Sequence, residues 1–160
     1  MPKIYLRKVK VSDETYFKKW WGDKELLALT SGILEPISDE EVSQYFQEIF
    51  DSKNDYHFII TINEKTIGHI SLAQRDNDWY ETQIVIGEKT YWGKGIGPQA
   101  IKILIEKAKI DGVHKIYLEV RPTNTRAIRA YENAGFQKVG TTILSQDKNL
   151  PEIIRMELGR

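Results

Sequence analysis

Apolar and polar positions divide this chain into short strands and amphipathic helices. Residues 4–11 alternate loosely and predict a first strand. Tyr16, Phe17, Trp20 and Trp21 then recur at helical spacing up to Gly22, so a helix follows, with Ser12 as its expected cap. Between Gly22 and Pro36 the pattern is weak and predicts only a short helical segment over 24–29. Ser38 and Glu41 form a capping box in which each side chain answers the other's backbone donor. Behind it, Val42, Tyr45, Phe46, Ile49 and Phe50 mark one face of a second amphipathic helix. Two β-rich runs, 57–62 and 66–73, flank Asn63-Glu64-Lys65 and read as a hairpin. Gly68 inside the second run predicts a bulge or a close backbone approach.

The second half carries the stronger patterns. After a polar loop over 74–78, residues 79–86 form a strand that leads into a glycine-rich loop. Polar positions 99, 102, 106 and 109 leave the rest of the next helix apolar, so it lies deep against a sheet. Residues 115–121 are a strand with Tyr117, Glu119 and Arg121 on one face and Ile116, Leu118 and Val120 on the other. Pro122-Thr123-Asn124 makes a turn. Ala127, Ala130, Tyr131 and Ala134 then stripe a helix closed by Gly135. Strands over 136–144 and 152–158 close the chain around a turn at Asp147-Lys148-Asn149. With no repeat or linker, residues 1–160 read as one domain.

The loop after 86 has glycines at 93, 95 and 97, with Pro98 expected as the first helical residue, since its fixed φ suits a helix and its missing N–H is not needed there. Glycines admit a ligand close to the backbone, and a helix start offers unpaired N–H groups and a positive dipole end. A phosphate-bearing ligand is the expected occupant. The dinucleotide fingerprint requires G-x-G-x-x-G, but position 98 is proline. The nucleoside-triphosphate loop requires Ser or Thr after Gly-Lys, but Gly95 follows Lys94.

Composition narrows the classes further. Twenty-three basic residues balance 23 acidic ones, so the basic face of a nucleic-acid binder is not expected. With no cysteine, a thiolate nucleophile, a disulfide framework and a thiolate metal site are excluded. No apolar run has the length of a membrane span and the N-terminus lacks a signal-peptide pattern, so a soluble, cytoplasmic protein is expected. His57, His69 and His114 lack metal-ligand spacing and read as isolated surface or strand histidines; no metal is expected.

The glycine loop, ending in Gly95 and Gly97, and the downstream motif at Asn124, Ala127, Tyr131, Gly135 and Phe136 occur in order with a strand between them. Together they resemble the GNAT (GCN5-related N-acetyltransferase) family, whose members move acetyl from acetyl-coenzyme A to amines. The strong resemblance covers roughly residues 82–136. Trp92 departs from it, standing where the family usually has arginine or glutamine. The Tyr91-Trp92-Gly93 form resembles the branch that acetylates ribosomal-protein N-termini. The resemblance implies a mixed α/β fold: a central, mostly antiparallel twisted sheet of about seven strands flanked by about four helices.

The same resemblance implies site roles. Backbone groups of Ile84, Val85 and Ile86 pair with the pantetheine arm of acetyl-CoA. Trp92, Gly93, Lys94, Gly95, Ile96, Gly97 and Pro98 form the pyrophosphate loop, in which Pro98 has no N–H to offer. Asn124 binds the cofactor arm, and Tyr131 protonates the leaving thiolate, a role that suits a hydroxyl still protonated at neutral pH. Glu119, five residues before Asn124, is the first candidate for the base that takes the amine proton; Glu81 is the second, with a strand ion pair as its competing role. Trp20 and Trp21 either line the acceptor pocket or anchor their helix to the core. A peptide or protein N-terminal amine is the first expectation for the acceptor. An aminoglycoside is the second, since Trp20-Trp21-Gly22 and the stretch from Pro122 to Arg129 resemble aminoglycoside 6'-N-acetyltransferases. A small-molecule amine, a non-catalytic acyl-CoA-binding module and a homodimer complete the expectations.

Overall fold

The computed structural model describes residues 3–27, 36–143 and 152–159. The strands are β1 (Ile4–Lys8), β2 (Tyr56–Ile62), β3 (Lys65–Gln74), β4 (Trp79–Ile86), β5 (Lys115–Val120), β6 (Phe136–Ile143) and β7 (Glu152–Leu158), in one sheet ordered β1-β2-β3-β4-β5-β7-β6. The helices are α1 (Glu14–Trp21), α2 (Lys24–Leu27), α3 (Asp39–Asp51), α4 (Ile96–Ile110) and α5 (Thr125–Asn133). Every pairing in the sheet is antiparallel except β4 with β5. That parallel pair needs a crossover, and the glycine loop with α4 supplies it.

The sheet buries both faces over most of its width. On one side α1 and α3 cover Ile59, with Phe17, Val42 and Phe46 as their contacts. On the other, the apolar surface of α4 (Ile96, Ala100, Ile101, Leu104, Ile105 and Ala108) meets Ile60, Ile70, Leu72, Leu118 and Val120. Each fully buried aliphatic side chain contributes about 1.5–3 kcal/mol, so α4 is the main anchor of the fold.

Local chemistry explains the details. Asn63 and Glu64 both have positive φ, the geometry of a type I′ turn, whose twist matches the β2–β3 hairpin. Gly68 lies beside a register shift at Ile60 and Thr61. A Cβ on it would come within 2.3 Å of the Val85 carbonyl, so the bulge and the close approach occur together. Ser38 accepts from the Glu41 N–H at 3.2 Å, but Glu41 returns to the Ser38 hydroxyl rather than to its backbone, so the capping box is only half formed. Ser12 does not cap α1. Asp13 stands at that position, held by the Arg7 guanidinium at 2.8 Å and by the Lys10 N–H at 2.7 Å. Those bonds, a bidentate arginine among them, occupy the carboxylate, so Asp13 gives α1 no side-chain cap. The turn expected at 147–149, and the end of the segment expected over 24–29, lie outside the described residues.

Candidate active site

The parallel β4–β5 ladder is short. It joins Trp79 to Lys115, Tyr80 to Ile116 and Glu81 to Tyr117, and ends there although β4 continues to Ile86 and β5 to Val120. On its other edge β4 stays paired with β3 as far as Ile86. The strands therefore part just beyond Glu81 and Tyr117, leaving a slot with a strand edge on each side. At the mouth of the slot, Thr82 is 3% exposed and its hydroxyl has no hydrogen-bond partner. A buried hydroxyl without a partner costs about 1–3 kcal/mol, and a ligand acceptor placed there would recover that cost. Sequence reasoning missed Thr82, since a threonine in a strand carries no pattern of its own.

The glycine loop lies at the far end of the slot. Gly93 and Gly95 have φ of +75° and +76°, which L side chains rarely adopt, and Gly95 is the N-cap of α4. A Cβ added at Gly93 or Gly97 would meet nothing within 4 Å, so the backbone there faces open space. Pro98 is the third residue of α4 rather than the first, after Ile96 and Gly97. The shift is harmless because all four N–H groups at a helix start lack an intrahelical partner. The Trp92 indole donates to the Ile86 carbonyl at 2.7 Å, and the Arg126 guanidinium lies 5.5 Å from its ring centre. Lys94 sits 5.8 Å over the Tyr91 ring. A strand edge, a glycine-lined helix start and an orphaned hydroxyl together fit an extended, phosphate-bearing thioester.

The two faces of the slot differ. Leu118 and Val120 point into the α4 core, where Tyr131 is also buried, at 7% exposure and edge-on to Phe136 at 6.0 Å. Burial pushes the Tyr131 phenol well above its ordinary range, so it stays protonated. Asn124 caps α5, its side-chain oxygen accepting from the Ala127 N–H at 3.2 Å. The side-chain oxygen thus has a structural role at the start of α5.

On the opposite face Glu81, Tyr117 and Glu119 lie together. Glu81 is the partner of Arg75, taking its Nη2 at 2.9 Å and its Nε at 3.1 Å, and is 7% exposed. Glu119 faces Arg155 in the β5–β7 register, yet Arg155 gives its Nε to Glu157 at 2.8 Å. Burial, and then the nearby Glu81 charge, raise the Glu119 carboxyl above its ordinary value; Arg155 and Arg75 only partly offset this. A raised carboxylate is the better proton acceptor of the two.

Trp20 and Trp21 part company. Trp20 is 2% exposed and presses on Gly87, where a Cβ would come within 2.1 Å of the indole. Trp21 is partly exposed, edge-on to Phe17 at 5.2 Å and to Tyr45 at 6.1 Å. The histidines correct the expectation of isolation. His57 and His69 stand diagonally across the β2–β3 hairpin with Nδ1 and Nε2 3.1 Å apart. Strand spacing, invisible to a search for helical or loop metal motifs, brings them together.

A family model described as an acetyltransferase (GNAT) domain matches residues 3–137. The chain belongs to the GNAT family. It is an N-acetyltransferase that uses acetyl-CoA. Aminoglycoside N(6')-acetyltransferases type 1 from Klebsiella pneumoniae and Serratia marcescens are 27% identical to this acetyltransferase over 142 residues, 81% of this chain and 67% of theirs. The N-alpha-acetyltransferase RimI of Mycobacterium tuberculosis is 39% identical over 61 residues, 38% of this chain and 37% of its own. Spermidine N-acetyltransferase from Vibrio cholerae, solved with CoA and spermine, superposes with a TM-score of 0.84 at 21% identity, covering 97% of this chain and 94% of that one. Aminoglycoside acetyltransferase AAC(6')-Ib, solved with coenzyme A and kanamycin, gives 0.80 at 22% identity, covering 99% and 95%. At these identities the two structures establish the fold alone.

Proposed function

We propose that this acetyltransferase moves acetyl directly to the α-amine of a peptide or protein in the cytoplasm. The observation that carries direct transfer is the slot itself. Glu119, a carboxylate with a raised proton affinity, lies on one face of the sheet there, and Tyr131, a protonated phenol, is buried in the core on the other. Acetyl-CoA supplies the activated thioester. Glu119 takes the proton that the amine must lose, and Tyr131 gives a proton on the sulfur side. The free edge of β4 at Ile84 and Val85 carries the pantetheine arm, with the Ile86 carbonyl already engaged by Trp92. The N–H groups from Gly93 to Gly97 hold the pyrophosphate and the Asn124 amide steadies the arm. Glu81 supports Glu119 through its charge, Trp21 offers the acceptor an aromatic wall, and Trp20 anchors the same helix against Gly87.

The peptide reading is supported by the Tyr91-Trp92-Gly93 form, the likeness to RimI and a formal charge of zero, which does not favour a polycationic acceptor. The aminoglycoside reading is favoured by relatives that match 81% of the chain. Acetyl-CoA turnover separates the two when measured with free and N-blocked peptides, kanamycin and spermidine. Transfer to free but not blocked peptides is expected. Turnover with kanamycin, and raised kanamycin tolerance in cells expressing the protein, would establish the other reading. Tight CoA binding with no transfer to any amine would make the chain a binding module.

A further inference from the structure

Beside the slot, on the face that carries Glu119, lies an open cavity of about 580 Å³. This is the size of a small-ligand site. Its walls include Arg75, Asp76, Asn77, Trp79, Tyr117 and Arg155. The Arg155 guanidinium sits against two nearly perpendicular rings, 3.8 Å from the Tyr117 centre and 4.9 Å from that of Trp79. Its Nε is taken by Glu157, and among the described residues this is its one hydrogen bond. The four N–H donors on its two terminal nitrogens are left on a fixed plane in a residue that lines the cavity. Stacking of this kind removes the freedom an exposed arginine would otherwise lose on binding. Arg75, by contrast, is occupied by Glu81.

We propose that Arg155 receives a carboxylate carried by the acceptor, so that the preferred acceptor is an amine with a carboxylate a few bonds away. A planar guanidinium edge matches a carboxylate bidentately. Spacing agrees with this. Glu119 and Tyr117 are two residues apart on one strand face, roughly 7 Å, and Arg155 lies over Tyr117. An amine at Glu119 therefore reaches Arg155 with a carboxylate about two extended residues distant. Asp76 and Glu157 also stand near the cavity, but Glu157 is neutralised by Arg155 itself and Asp76 is an exposed side chain. Lys115, held 5.7 Å from the Trp79 ring, adds a further cation nearby and disfavours a polyamine. The carboxylate has two sources at that distance, an acidic side chain near a peptide N-terminus or the α-carboxylate of a free amino acid whose reacting amine is at the end of its side chain.

This inference rests on the proposed acetyl transfer, and one set of assays tests both separately. Acetyl-CoA turnover is compared for peptide pairs whose second residue is Glu or Gln, and for amino acids against their carboxamides. The acid of a pair is expected to exceed its amide about tenfold or more in kcat/KM, through KM. The pair that shows the preference identifies the source. Arg155→Gln should erase the difference by raising KM for the acid alone, while Arg155→Lys, which keeps charge but not the fork, should retain part of it. Glu157→Gln should preserve the preference. Equal rates for acid and amide in the wild type, faster turnover of spermidine, or an equal loss for acid and amide in Arg155→Gln would overturn the inference and leave acetyl transfer standing. Failure of every amine to consume acetyl-CoA would instead remove the transfer reading.

Discussion

The Trp92 indole N–H donates a 2.7 Å hydrogen bond to the Ile86 carbonyl, which ties the glycine loop to the end of β4. The residue that departs from the family pattern thus fixes against each other the two segments proposed to hold the cofactor. Trp92→Phe keeps the ring under Arg126 and loses the bond. A net bond of about 1 kcal/mol corresponds to roughly a fivefold change, so KM for acetyl-CoA should rise about 3- to 10-fold with kcat little altered. Steady-state kinetics at saturating acceptor measure this. A change in kcat alone would show that the loop is held by other contacts.

Tyr131→Phe tests the proton donor. Phenylalanine keeps the edge-on contact with Phe136, so the folded state should be retained. Turnover should fall by one or more orders of magnitude, the scale of a lost general acid, with acetyl-CoA affinity unchanged. An unaltered kcat would remove Tyr131 from that role.

The strand, glycine loop and helix start around 79–110 were legible in the chain, because glycines and helix starts carry local rules. The loop at 93–97 and the β4 strand act through backbone geometry that a short stretch encodes, whereas the capping of α5 by Asn124 was read only as a turn. The slot was not legible. It depends on where the β4–β5 ladder ends, a property of two strands 36 residues apart at Glu81 and Tyr117. The same holds for the Glu81–Arg75 pair, the placement of Arg155 over Tyr117, and the His57–His69 contact, each of which sheet register creates. Trp20 and Trp21 show the converse: adjacent in sequence, they are separated by one helical step into a buried wedge and a partly exposed wall.

The acid limb of the pH–rate profile should follow Glu119, whose carboxyl lies above the ordinary range because of burial and then the Glu81 charge. Glu81→Gln removes that charge and releases Arg75, and both changes favour ionised Glu119. The limb should therefore move to lower pH. Glu119→Gln should instead lower the rate at neutral pH, with a loss that eases as pH rises and more of the amine is already neutral. A limb unmoved by Glu81→Gln would show that Glu119 is not the titrating base.

Thr82 separates stability from function. Its buried hydroxyl has no partner, so Thr82→Val, nearly the same in shape, should leave the free protein as stable or up to about 1 kcal/mol more stable. Acetyl-CoA binding, followed by calorimetry, should weaken several-fold at the same time. Loss of thermal stability with unchanged binding would make the hydroxyl structural.

The histidine pair predicts a stability profile with a definite sign. Burial, reinforced by His57, pulls the His69 imidazole down to about 3, and burial also lowers His57 despite Asp55 4.0 Å away. Both rings are neutral in the folded protein at a pH where the unfolded chain would protonate them near 6.5. The unfolded state then binds more protons, so stability is complete above that value and is lost as pH falls below it. Asp13, lowered by its bonds to Arg7 and Lys10 in spite of burial, acts with the same sign, but only below its unfolded value of 3.8. Between about pH 6.5 and 4 the two histidines therefore set the sign, and the raised Glu119 carboxyl opposes them, since the folded state keeps a proton there that the unfolded chain gives up. Unfolding free energy should drop on the order of 2 kcal/mol between about pH 7 and 5. His69→Gln keeps a polar group near His57 and removes one titration, so chemical denaturation across this range should give a flatter slope than the wild type. An equally steep slope in the variant would place the proton uptake elsewhere.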